Sequence, residues 1–122
     1  MQILFLLMIA GACGTAARFG VSVFAQRWLG NASPGTLVVN VAGTFLLALV
    51  ATLVVEKNVA PAWKIVVGTG FCGALTTFST FALEAEELWR RAPLNATIYV
   101  TANLILGLAA VILGRWLVTR GG

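Results

Sequence analysis

Apolar residues run in long stretches along this chain, and polar ones collect in the short gaps between them. Charge-poor runs cover residues 3–17, 28–55, 65–83 and 92–114, each near or above the ~20 residues a helix needs to cross the bilayer core. They predict four spans, at about 3–26, 34–55, 61–91 and 94–118, which together make residues 1–122 one all-α, integral membrane domain. No soluble domain or long linker is left over, so the activity is expected inside the bilayer.

Polar and small positions within the spans repeat at helical spacing. In the second span Thr36, Asn40 and Thr44 recur every fourth residue, and in the fourth Tyr99, Asn103 and Gly107 do the same, so each set shares one helix face. The two stripes are candidates to face each other. A buried asparagine such as Asn40 has two amide donors and an acceptor, and either clasps a neighbouring helix or presents donors to something passing. Ser33 and Pro34 spell a helix start, with Ser33 as cap and Pro34 in the first turn. Pro61 opens the third span and Pro93 the fourth.

The third run is the unusual one. Residues 61–91 would extend about 46 Å as one helix, well beyond the ~30 Å hydrocarbon core. In its middle stands GTGFCGALTTFSTF, from Gly68 to Phe81, with three glycines, three phenylalanines and the hydroxyls of Thr76, Thr77, Ser79 and Thr80. Hydroxyls facing hydrocarbon without partners are costly, and irregular backbone survives in a membrane only beside protein or a cavity. We therefore expect a helix broken near residues 73–77, with Phe78 and Phe81 sharing a face beyond the break. A Gly/Ser/Thr helix-packing face is the alternative use of the same residues. At the far end, Glu86 with Arg90 and Glu87 with Arg91 have the spacing of a solvated ion-paired face, whereas Glu84 has no such partner.

Composition narrows the chemistry. The chain is 60% hydrophobic and 10% charged with a mean hydropathy of +0.97, outside the range of soluble domains. It holds no His and no Asp, so catalytic triads, imidazole metal ligands and Asp-based pumps are excluded, and no enzyme is expected. Cys13 and Cys72 lie in apolar segments and read as small hydrophobes rather than a disulfide. A net charge of +4 suits anionic lipid at the membrane edge and is no argument for nucleic acid. Arg18 falls inside the first span, where it could serve function, snorkel to the interface or pair with backbone carbonyls. Gly68 to Gly73 matches GxGxxG, but a dinucleotide site would need a βαβ unit and an acidic residue further on. The sequons at Asn31 and Asn95 fall in very short turns, and the first fourteen residues lack the positive start of a signal peptide.

Trp28, Trp63, Trp89 and Trp116 stand at span ends, where interfacial aromatics belong. Sorting the basic residues by end puts Lys57, Lys64, Arg115 and Arg120 against Arg18, Arg27, Arg90 and Arg91. Four against four gives no orientation bias, so the chain is expected to insert both ways. Four helices do not easily enclose a pore alone, and two oppositely inserted copies could pair about an axis in the membrane plane.

The strings GACGTAARF, GTLVVNVAGTFLLAL and GFCGALTTFSTF, in that order, resemble the Fluc (CrcB-type) fluoride channel family over nearly the whole chain. The resemblance implies an antiparallel dual-topology homodimer in the bacterial inner membrane, with two pores for passive, fluoride-selective export. It implies pore roles for Asn40, Phe78, Phe81, Ser79, Thr80, Tyr99 and Thr36, and vestibule roles for Arg18 and Glu84. It also implies a structural sodium ion at the dimer axis, held by main-chain carbonyls of Gly73 and Thr76. Asn103 departs from the serine of the pattern, and Ala48 and Ala74 replace glycines. A rival four-span architecture, the proton-coupled small multidrug exporter, would need a carboxylate deep in the membrane, and all four acids here lie in loops or near helix ends. A non-transporting membrane scaffold would leave the stretch from Gly68 to Phe81 without a purpose.

Overall fold

A computed structural model of the chain describes residues 1–121. These residues form helices and no strand, with α1 at Gln2–Leu29 and α2 at Ser33–Glu56. A π-helix, Lys64–Cys72, then continues into one α-helical turn, Gly73–Leu75, and the two together are α3; α4 is Phe78–Arg91 and α5 Pro93–Arg120. Four helical segments, counting α3 and α4 as one, are long and apolar enough to cross a membrane. Pro34 and Pro93 occupy the first turns of their helices, where a missing N–H costs nothing and the fixed φ suits the helix.

α2 is the hub, packed against α1, α3, α4 and α5, while α1 also covers α3 and α5 also covers α4. α2 and α5 run in the same direction. Asn40 meets Asn103 through their side chains, and further along a Cβ on Gly114 would stand 2.9 Å from the Phe45 carbonyl and 3.1 Å from the Ala48 methyl. The polar stripes of the second and fourth spans therefore do face one another.

Small residues let α1 and α3 touch by their backbones. A Cβ on Gly70 would fall 2.9 Å from the Ala10 methyl and 3.3 Å from the Leu7 carbonyl, and one on Gly14 would run into the Phe71 carbonyl. Without a hydrophobic drive between helices in lipid, such close dispersion contact is what holds them together.

The start of α2 differs from the expectation. Ser33 is already helical, and its own N–H donates to Asn31 Oδ1 at 3.0 Å, so Asn31 takes the role expected of Ser33. The connection after α2 turns at Asn58, whose φ of 55° is left-handed, a conformation asparagine tolerates better than most residues. Of the two ion pairs expected at the end of α4, Arg90 with Glu86 is formed.

Candidate functional site

Between α3 and α4 the backbone is extended at two residues, Thr76 (ψ 155°) and Thr77 (φ −149°, ψ 120°). Two of the carbonyls before this interruption lose their helical donors. Thr77 N–H, which a continuous helix would give to the Gly73 carbonyl, donates instead to Asn40 Oδ1 at 2.8 Å. Thr80 N–H, due to the Thr76 carbonyl, donates to Thr77 Oγ1 at 3.1 Å. Thr77 is thus the N-cap of α4, and its hydroxyl replaces a backbone acceptor.

Asn40 supports the interruption from α2. Besides accepting from Thr77 N–H, it donates through Nδ2 to the Thr77 carbonyl at 3.3 Å and to Asn103 Oδ1 at 3.1 Å. Asn103 in turn donates to the Tyr99 carbonyl at 3.0 Å, one turn back along α5. Asn40 and Asn103, with Thr44, Thr76, Thr77, Phe78, Phe81 and Leu104, line an open groove of about 250 Å³.

Aromatic rings continue the line. The centroids of Phe78 and Phe81 are 5.9 Å apart, and those of Phe81 and Tyr99 are 5.5 Å apart, in tilted pairs. Phe78 projects from the bundle, 79% exposed, whereas Tyr99 is buried at 8%. Ser79 is exposed beside Phe78, with its hydroxyl 3.4 Å from that of Thr77, and Thr80 is half-buried.

The track ends on a buried polar knot. Thr36, in the first turn of α2 and 1% exposed, donates its hydroxyl to Glu84 Oε1 at 2.6 Å. Glu84 Oε2 and the Tyr99 hydroxyl are buried there without a hydrogen-bond partner among the described residues. Because Thr36 lies three residues into α2, about 5 Å from its start, the carboxylate is near the end of the bundle and not at its centre. Arg18 stands apart from this track, on the α1 side, where its Nε donates to the Ala74 carbonyl at 3.0 Å. Of the uses open to an intramembrane arginine, the structure therefore includes pairing with a backbone carbonyl.

Among the described residues no group of three or more His, Cys, Asp or Glu side chains could hold a metal. The main chain is a different matter. The Gly73 and Thr76 carbonyls, stripped of their helical donors, are the kind of ligand a hard cation takes, so the residues present fit the sodium that the sequence resemblance implies.

Sequence reasoning on single residues had no role for Thr77 beyond its hydroxyl, nor for Thr44 and Leu104 as groove lining. The cap was readable, since threonine is among the favoured N-cap residues. The π-helix of α3 had no comparable signal.

A line of neutral donors and ring edges, set beside interrupted backbone between four membrane-length helices, defines a multi-pass membrane protein with a polar path along its bundle. Residues 5–115 match the model of the CrcB-like protein, Camphor Resistance (CrcB) family, and the chain belongs to that family. It is 43% identical over 110 residues to the fluoride-specific ion channel FluC of Shewanella amazonensis, covering 88% of this chain and 89% of that one. Its identity to the Thermosipho melanesiensis FluC is 44% over 112 residues, with 89% and 90% covered. For the Saccharophagus degradans FluC it is 41% over 106 residues, with 85% and 80% covered.

Proposed function

We propose that this protein is a fluoride-selective channel that lets fluoride leave the cell passively and so lowers its cytoplasmic concentration. In this reading it works in the bacterial inner membrane as an antiparallel, dual-topology homodimer with two pores. The observation that carries the reading is the groove itself, in which amide and hydroxyl groups stand beside the rings of Phe78 and Phe81 with no cationic side chain among the lining residues.

That chemistry suits a small, strongly hydrogen-bonding anion. Conduction requires binding favourable enough to replace hydration and weak enough to allow release, and a lysine or arginine in the path would hold fluoride too firmly. Hydroxyls and amides donate without a net charge, and ring edges carry the positive part of the aromatic quadrupole. Fluoride would pass from hydroxyls of Ser79 and Thr80 to the edges of Phe78 and Phe81, with Asn40, Tyr99 and Thr36 as the polar groups that follow along the path. Glu84, at the end of this line, and Arg18, off the line on the α1 side, serve as vestibule residues. Arg18 spends one N–H on Ala74, which leaves the rest of its guanidinium to attract anions from water.

Two features support a pair of copies. Phe78, Ser79 and Gly73 are exposed on one protomer, where hydroxyls and an interrupted backbone would otherwise face lipid. The even split of basic residues between the two ends also removes any preference for one orientation. Sodium held by the Gly73 and Thr76 carbonyls of both copies would supply a fixed positive charge between the pores.

Fluoride and chloride efflux from liposomes holding the purified protein tests the proposal. We expect rapid fluoride release with chloride retained; equal release of both, or no fluoride release, would refute it.

A further inference from the structure

Every donor of the Asn40 amide is already in use. Its Oδ1 accepts from Thr77 N–H at 2.8 Å, while Nδ2 donates to the Thr77 carbonyl at 3.3 Å and to Asn103 Oδ1 at 3.1 Å. Exchanging the oxygen and nitrogen of Asn40 would set an NH2 group against the Thr77 N–H, so the main chain locks this orientation. An anion in the groove therefore meets acceptor oxygens, from Thr77 and from Asn103, at the point where it needs a donor.

Asn103 is held by fewer bonds. Its Oδ1 faces Asn40 and its Nδ2 donates to the Tyr99 carbonyl at 3.0 Å, two bonds against the three that fix Asn40. A half-turn of this amide about its terminal torsion, which is broad and soft, would swap the two atoms. Asn40 and Asn103 would then present facing N–H donors to a single anion.

We propose that Asn103 is a specificity-determining residue, whose amide turns over as fluoride enters and changes from acceptor to donor. The idea rests on the fluoride-channel reading. Turning over breaks the bonds to Asn40 and to the Tyr99 carbonyl and sets Oδ1 against that carbonyl oxygen, and only an anion that accepts hydrogen bonds strongly offsets this cost. Chloride, larger and a weaker acceptor, leaves Asn103 in its resting position with its oxygen toward the groove. Selectivity then comes from a cost that one anion meets and the other does not.

Two measurements on the full chain in liposomes test this. Asn103→Leu keeps the approximate shape but neither accepts nor donates, so we expect slower fluoride efflux and a fluoride-over-chloride ratio at least tenfold lower than wild type. In wild type labelled with 15N-asparagine, the Asn103 side-chain amide signal, assigned by its absence in the leucine variant, should shift with fluoride and stay put with chloride. An unchanged ion ratio in Asn103→Leu, or an amide signal indifferent to fluoride in a protein that conducts it, overturns the proposal and leaves the channel reading intact. Wild-type liposomes tight to fluoride would overturn both together.

Discussion

Rings that line an anion path and rings that fill a core differ in what an aliphatic replacement does to flux. Phe78 is 79% exposed on the single chain, Phe81 is half-buried, and their centroids lie 5.9 Å apart in a tilted pair. An isoleucine has similar bulk and no quadrupole, and hydrophobic swaps of similar volume usually cost under about 1.5 kcal/mol. Phe78→Ile and Phe81→Ile should therefore each cut fluoride flux severely while the protein melts within a few degrees of wild type. Liposome efflux and melting on the same preparations check this, and loss of flux that merely tracks loss of stability would mark the rings as filler. Glu84 and Tyr99 each keep a buried polar atom without a hydrogen-bond partner among the described residues.

The decisive element is the short extended link between α3 and α4, and it is held from outside itself. Thr77 is bonded at both its N–H and its carbonyl by Asn40 and caps α4 with its hydroxyl. Removing a threonine cap typically costs ~1 kcal/mol. Thr77→Ala should lower stability by about that amount, with Thr77→Ser close to wild type, as read by thermal melting in detergent. An alanine variant as stable as wild type would show that the Asn40 clamp suffices alone. The π-helical turns of α3 precede this link and bring Gly68 and Gly70 against neighbours, since a Cβ on Gly68 would lie 2.8 Å from Leu47 Cδ1.

On the scale of the whole molecule, orientation rests on eight basic residues divided evenly between the two ends. A balance of this kind is easily tipped, because lysine and arginine near span ends decide which side stays in the cytoplasm. Two or three lysines added at the carboxyl terminus should force one orientation and abolish fluoride export on their own, while an oppositely biased copy restores it. Labelling a cysteine placed at Asn58 from each side of the membrane gives an independent reading. Wild type labelled from one side only would rule out dual insertion.

Four spans, their short connections and the polar stripes of α2 and α5 were legible in the amino-acid order alone. Each depends on local hydropathy and on a 3.6-residue period, which need no knowledge of the partners. So did the family, because GFCGALTTFSTF and the surrounding strings are read without a structure. The tertiary structure decided what those groups do to one another. That Asn40 clamps Thr77, that Asn103 fills an Asn40 donor and that Thr36 finds Glu84 across 48 residues depends on distances set by packing around α2. The π-helix was equally out of reach, since the spacing of its residues carries no mark of a wider turn. Apolar surface avoiding water places a helix in the membrane, but hydrogen bonds between helices fix which side chain meets which, and those geometries exist only once the bundle has formed.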